Sequence, residues 1–222
     1  MLRIPEPELM LDQDQAIAYA EADFSASDDR FVERFKELFG ALDSGEIIDL
    51  GCGPGNIALR MAAAFPGCMV TGVDGAAAML DIARARAVAM GGAASRARFV
   101  ETVLPSAVLP MGRATAVVSN SLLHHLHEPA GLWITLRQVA ARNAAVLIVD
   151  LRRPETAAGA QQIVDTYARG APEILRQDFY NSLLAAFEVD EVKGQLEAAG
   201  LYGLQVQAVG DRYLEVSGRM PG

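Results

Sequence analysis

Cysteine is scarce, long apolar runs are missing, and positive charge is in the minority. Cys52 and Cys68 are the only two cysteines in 222 residues, so neither a disulfide framework nor a thiolate metal cluster can be built. Neither thiol is expected to act as a nucleophile. No apolar stretch approaches the roughly 18 residues that a membrane span requires. The opening Met1-Leu2-Arg3-Ile4-Pro5-Glu6-Pro7-Glu8 lacks the apolar centre of a signal peptide. The expected location is therefore cytoplasmic, with no membrane partner. A formal net charge of -9 and a pI near 4.8, with no local cluster of Lys and Arg, argue against an extended footprint on nucleic-acid phosphates. Repeats and low-complexity linkers are missing as well.

What is present is enough apolar material for one substantial core, 51% of the residues, in a chain short for two catalytic domains. Apolar runs that read as strands alternate with helical patterns, which implies a parallel sheet. Two helices are expected first, one over Asp12 to Ala22 and one after Ser27-Asp28-Asp29, which can cap it, with Phe31, Val32, Phe35, Leu38 and Phe39 on one face. Five strand-helix units follow, with strands at Glu46–Leu50, Met69–Asp74, Arg98–Thr102, Ala114–Asn120 and Ala144–Leu151. The last of these is apolar enough to be buried on both faces. After a helical stretch and an amphipathic helix over Val189–Ala199, strands at Leu204–Val209 and Arg212–Ser217, joined at Gly210-Asp211, read as an antiparallel hairpin. The expected fold is α/β, a Rossmann-like three-layer sandwich with a seven-stranded, mostly parallel sheet. The expected organisation is a single domain: an N-terminal helical cover (1–42), a cofactor-binding core (43–151), a helical insertion or lid (152–188), and the last helix with the hairpin (189–222).

The loop Asp49-Leu50-Gly51-Cys52-Gly53-Pro54-Gly55-Asn56 carries the functional reading. A strand end followed by three glycines at alternate positions and then a helix is a tight turn whose backbone must approach something closely. In an open parallel sheet, that place is the ligand crevice beyond the carboxyl ends of the strands. The dinucleotide fingerprint Gly-x-Gly-x-x-Gly is not met, because the third glycine falls at Gly55 and the sixth position is Asn56. Pro54 also removes one N–H from any phosphate cradle. About twenty residues further on, Asp74 ends the second strand, where a carboxylate can accept from both hydroxyls of a nucleoside ribose. The same carboxylate can instead cap the helix after Gly75.

The glycine loop, the acidic end of the second strand and Val117-Val118-Ser119-Asn120-Ser121-Leu122-Leu123-His124-His125-Leu126 after the fourth resemble the small class I S-adenosylmethionine-dependent methyltransferases, of the group called type 11. The resemblance runs from about Glu46 to Leu151, and the closing hairpin agrees with that family's antiparallel seventh strand. It implies S-adenosyl-L-methionine as cofactor and S-adenosyl-L-homocysteine as product. It also implies that Asp49, Gly51, Cys52, Gly53 and Gly55 lie under the methionine part, that Asp74 with Gly75 holds the ribose, and that Ser119, Asn120 and Ser121 border the methyl group. Tyr19, with Asp23 and Phe24, is a candidate to close over the cofactor from the N-terminal cover, against a plain surface or core role. Where the family often has an aspartate near the adenine amino group, this chain reads Phe99-Val100-Glu101-Thr102-Val103-Leu104, so the adenine contact either falls to backbone groups or is weaker.

A sulfonium methyl is already activated, so the protein has mainly to hold a nucleophile in line with it and exclude water. An acceptor that starts protonated gains from a base, and His124 and His125 are the candidates, though packing a short helix against the sheet is the role more expected of them. No Cys, Asp or Glu joins these histidines at a recognisable ligand spacing, so no metal is expected. Arg152, with Arg153, is a candidate for an acidic substrate, and Tyr180, Asn181 and Ser182 for the lid. The expected reaction is methyl transfer to a small-molecule acceptor by in-line displacement. A protein that binds S-adenosylmethionine without turnover, or less well an NAD-dependent oxidoreductase, stays open as an alternative.

Overall fold

A computed structural model of the chain describes residues 1–7, 17 and 19–222. The strands and helices of the described residues are, in chain order, α1 (Ser25–Phe39), β1 (Gly45–Leu50), α2 (Asn56–Ala64), β2 (Cys68–Asp74), α3 (Ala77–Met90), β3 (Ala97–Glu101), β4 (Ala114–Asn120), α4 (Ala130–Val139), β5 (Ala140–Leu151), α5 (Ala157–Tyr167), α6 (Glu173–Ala185), α7 (Val189–Ala198), β6 (Leu204–Val209) and β7 (Tyr213–Arg219). The expected helix over Asp12 to Ala22 falls mostly outside the described residues.

The sheet order is β3-β2-β1-β4-β5-β7-β6. The first five strands run parallel to their neighbours, and β7 is antiparallel to both β5 and β6. The order reverses between β1 and β4, which opens the crevice above their carboxyl ends. Alternation along each apolar strand feeds two cores. Ile48, Val117, Val146 and Ile148 join Trp133, Leu136, Val192 and Leu196 of α4 and α7 on one face. Ile47, Val118, Ala145 and Leu147 join Phe31, Phe35, Ile57 and Met61 of α1 and α2 on the other. Strands without polar alternation are what a sheet covered on both faces requires. Phe35 is fully buried and meets Phe65 edge-on, ring centroids 5.5 Å apart. Such burial contributes about 2 kcal/mol.

Three expectations about the elements are corrected. Helix α1 starts at Ser25, ahead of Ser27-Asp28-Asp29, and no side chain caps it. Those residues lie inside the helix because Asp23 has already turned the chain, accepting from the Ser25 N–H at 3.0 Å. Of the five expected strand-helix units, the third lacks its helix. Between β3 and β4 the chain is a loop, and Pro105, Pro110 and Gly112 explain why no helix propagates there. Finally, β5 begins at Ala140 instead of Ala144, directly after α4.

Candidate functional site

The glycine loop closes over the end of β2. Gly51 and Cys52 both donate backbone N–H bonds to the Val73 carbonyl, at 2.8 and 2.9 Å, and Gly55 N–H donates to the Cys52 carbonyl. All three glycines have positive φ, yet they serve different needs. A Cβ on Gly51 would lie 2.7 Å from Leu122, and one on Gly55 would press on Ala83 and Phe99, whereas one on Gly53 would meet no protein atom within 4 Å. Gly51 and Gly55 thus permit packing, while Gly53 presents bare backbone to the cleft. Arg86 of α3 ties this turn down, donating to the Pro54 carbonyl, the Asn56 side chain and the Ala20 carbonyl.

Asp74 bridges this loop to the next turn. Its Oδ2 accepts from Gly53 N–H and its Oδ1 from Ala76 N–H, each at 2.8 Å. Asp74 thus ties the glycine loop to the turn ahead of α3, whose N-terminus has no side-chain cap, and each oxygen keeps a lone pair for a further donor. Asp49 sits at the floor, 1% exposed, with Oδ2 buried and without a hydrogen-bond partner. Burial pushes its carboxyl well above the usual range, the Asp74 charge adds to this, and only the Ala58 N–H opposes it. A buried orphan carboxylate oxygen beside an open glycine fits a cationic amino group of an amino-acid moiety. Cofactor binding should therefore release a proton from Asp49. Calorimetry in buffers of different ionisation heat should show release that grows toward acidic pH, and Asp49→Asn should abolish it. Equal heats in all buffers would contradict this role.

A cleft of about 1800 Å³ joins this floor to the segment after β4. Ligand pockets commonly occupy about 300–1,000 Å³, so there is room for a cofactor and an acceptor together. Among the expected cofactor residues, Asp49, Gly51, Cys52, Gly53, Asp74, Gly75, Asn120, Ser121 and Tyr19 line the cleft. Gly55 does not, since it faces α3 and β3. Ser119 does not either: it is fully buried and donates its hydroxyl to the Leu50 carbonyl at 2.7 Å, locking β4 to β1. Tyr19 packs on Ala76 and Met79 and on Phe24, ring centroids 5.0 Å apart. Thr102, Val103 and Leu104 form a stretch of wall, with the Thr102 N–H already given to the Asp74 carbonyl.

Beyond Ser121 a short 3-10 turn, Leu123–His125, carries the histidines. His124 is 2% exposed, with Nδ1 2.6 Å from Asp150 Oδ1. Asp150 is itself fixed by the N–H groups of Leu123 and Leu151 at 2.6 and 2.7 Å. Burial works to lower the His124 pKa, but the charge and hydrogen bond of Asp150, with Glu6, more than offset it and the net shift is upward. Burial and the His124 charge push His125 well down. Glu6 stands over both rings, its Oε1 3.5 Å from His124 Nε2 and 3.2 Å from His125 Nδ1. Glu6 arrives from the N-terminal segment, far from the histidines in sequence, so no local spacing points to it. Arg3 anchors that segment, donating to the carbonyls of Ala185, His124 and Leu126 while stacking on Phe187.

The substrate candidates divide. Asn181 and Ser182 line the cleft, whereas Tyr180 packs into the small core beneath α5 and α6. Arg152 lies outside the cleft lining, with its guanidinium on the Gly210 and Asp211 carbonyls. Arg153 is buried and committed to Glu188, Glu191 and the Ala186 carbonyl. Neither arginine lines the cleft, since Arg152 is spent on the β6–β7 turn and Arg153 on Glu188 and Glu191. Glu6 and Asp150 were not recognised from the sequence. Only Asp150 had a local signal, a lone carboxylate in an otherwise apolar strand.

Residues 47–143 match the family model described as "Methyltransferase domain". The chain is 54% identical over 43 residues to a trans-aconitate 2-methyltransferase of Paracidovorax citrulli, covering 19% of this chain and 16% of that protein. It is 38% identical over 103 residues to a release factor glutamine methyltransferase of Chlorobaculum tepidum, covering 45% and 33%. The matches thus span a third or less of these curated relatives. In fold, it is similar to a solved SAM-dependent methyltransferase of Aquifex aeolicus, with a TM-score of 0.67 at 18% identity over 93% of this chain and 98% of that one. No helix among the described residues is long and apolar enough to cross a membrane. Residues 47–143 thus match a methyltransferase domain, and the fold around them is similar to that of solved S-adenosylmethionine-dependent methyltransferases.

Proposed function

We propose that the chain transfers the methyl group of S-adenosylmethionine to a small-molecule acceptor held against Asn120, His124, His125 and Asn181. The observation that carries this reading is the continuity of one cleft from the Gly53–Asp74 floor to the histidine cluster. S-adenosylmethionine, when bound, supplies an activated sulfonium methyl. The work left to this chain is to hold the acceptor in line, about 3 to 3.5 Å from that methyl, and to keep water out. Asp49 would take the amino group, Asp74 the ribose hydroxyls, and the Thr102–Leu104 wall the adenine edge. Asn120 and Ser121 would border the methyl. Tyr19, Asp23 and Phe24 would cover the cofactor from the N-terminal side, and Asn181 with Ser182 would face the acceptor.

One relative is named for trans-aconitate and the other for a release factor glutamine, so the relatives do not choose an acceptor class. A cleft of about 1800 Å³ has room for a small molecule beside the cofactor. Carboxylates outnumber guanidinium groups along its wall, and Arg34 is already paired with Glu215, which favours a neutral or cationic acceptor over a polyanion. The test is incubation with CD3-labelled S-adenosylmethionine and a panel of hydroxyl, amine and thiol acceptors, read by mass spectrometry. Label transfer that stops in Asp74→Ala supports the reading. Tight cofactor binding with no transfer to any acceptor class would instead favour a binding protein without turnover.

A further inference from the structure

Glu6, His124 and His125 bring three ligand atoms to within 4.8 Å of one another. The geometry points to a binding site for one divalent transition-metal ion, held by Glu6 Oε1, His124 Nε2 and one ring nitrogen of His125. Its open positions would take the oxygen atom that receives the methyl group. This deepens the proposed function at the same site and rests on it only for the role of the ion, not for its binding.

Four observations carry the site. Two ligand atoms held about 2.0–2.2 Å from one ion at tetrahedral or octahedral angles are about 2.8–3.6 Å apart, and Glu6 Oε1 lies 3.2 Å from His125 Nδ1 and 3.5 Å from His124 Nε2. The tautomer is set correctly. His124 Nδ1 is engaged by Asp150 at 2.6 Å, which leaves Nε2 as the lone-pair donor, the carboxylate–histidine–metal arrangement of established metal sites. His125 Nδ1 is buried and lacks a hydrogen-bond partner, a cost of about 1–3 kcal/mol that a ligand would remove. The carboxylate is also oriented from behind, since Ser182 Oγ donates to Glu6 Oε1 and Oε2 at 3.0 and 3.3 Å.

Two imidazoles and one carboxylate suit Zn²⁺, Fe²⁺, Mn²⁺ or Co²⁺ better than Ca²⁺ or Mg²⁺, which favour oxygen donors. Three protein ligands also leave positions free for a substrate atom. An acceptor hydroxyl on the ion would lose its proton to solvent more readily. Its oxygen lone pair then forms the bond to the methyl carbon, while the carbon–sulfur bond breaks with its electron pair remaining on sulfur. The products are the methyl ether or ester, S-adenosylhomocysteine and one released proton.

The test is titration of the chelator-treated protein with Co²⁺, followed by visible absorption, and with Zn²⁺, followed by calorimetry. One equivalent of Co²⁺ should bind with a visible d–d band. Glu6→Gln and His125→Ala should each weaken binding by at least about 100-fold, and Asp150→Asn by about 10–100-fold. The absence of a stoichiometric band, or equal affinity in native protein and all three variants, overturns the site. Should a variant fail to fold, the native protein still decides. Addition of Zn²⁺ must shift the resonances of His124 Nε2 and of a His125 ring nitrogen in long-range 1H–15N spectra, and unchanged resonances reject the proposal. A parallel titration with S-adenosylhomocysteine reports on the methyltransferase reading separately, so failure of either is distinguishable from failure of the other.

Discussion

Asp74→Ala should weaken S-adenosylhomocysteine binding by at least about 100-fold. Two charge-assisted hydrogen bonds to ribose hydroxyls, each worth about 1.5–3 kcal/mol, vanish together, and every 1.4 kcal/mol is tenfold in affinity. The complication is that Asp74 also accepts from Gly53 and Ala76 N–H, so the alanine variant loosens the glycine loop as well. Asp74→Asn separates the two effects. Its amide oxygen can still accept from one backbone N–H, but its NH₂ cannot accept from the other, and the negative charge is gone. If recognition of the ribose dominates, calorimetry gives a loss in both variants that far exceeds the change in ligand-free melting temperature. A loss of affinity that tracks the loss of stability across the two variants would assign Asp74 to loop structure alone.

The largest stability effect is expected at the ion pair that fastens α1 to the hairpin. Arg34 donates to both oxygens of Glu215 at 2.7 and 2.9 Å, and Glu215 is 2% exposed. Gln207 and Ser217 complete its shell. Burial pushes the Glu215 pKa up, but hydrogen bonds from Arg34 and Gln207 bring it below the usual carboxylate range. Removing Arg34 leaves a buried carboxylate without its counter-ion, so Arg34→Met should cost about 3 kcal/mol near neutral pH, on the order of 10 °C in Tm. The sign with pH follows from linkage. In the native protein the depressed pKa contributes stability above the unfolded value, and that stability is lost as pH falls through the folded one. In the variant, burial without Arg34 raises the Glu215 pKa, so protonation relieves the defect and the gap to native narrows in acid. Urea denaturation at neutral and acidic pH checks this, and the double variant Arg34→Met, Glu215→Gln should recover part of the loss. A gap that widens in acid would contradict the account.

The parts of the fold and site that could be read from the chain are those whose physics is local. The glycine spacing of 51, 53 and 55, the acidic end of β2 and the apolar runs of β1, β4 and β5 are each set by a few adjacent residues. The strands accordingly emerge within a few residues of expectation, in a seven-stranded mixed sheet. The errors share one cause, that facing depends on partners far along the chain. Ser119 and Ser121 would share a face if β4 continued, but the strand ends at Asn120 and Ser121 turns off it at φ 58, so Ser121 lines the cleft while Ser119 donates to the Leu50 carbonyl. Arg152 and Arg153 look like free cations in sequence, yet Glu188, Glu191 and the β6–β7 turn consume them. Asp150 reads as an interruption of an apolar strand until His124 is seen against it. Glu6 carries no local signal, since its role comes from Arg3 and Ile4 pinning the segment to α6 and the histidine turn.

The central claim is that the Gly51–Asn56 loop and Asp74 form an S-adenosylmethionine site. Titration of the native protein with S-adenosylhomocysteine and, separately, with NADH tests it most directly. Stoichiometric binding of S-adenosylhomocysteine with no heat from NADH is the predicted result, whereas binding of NADH alone would contradict the reading of the loop and return the chain to the redox alternative.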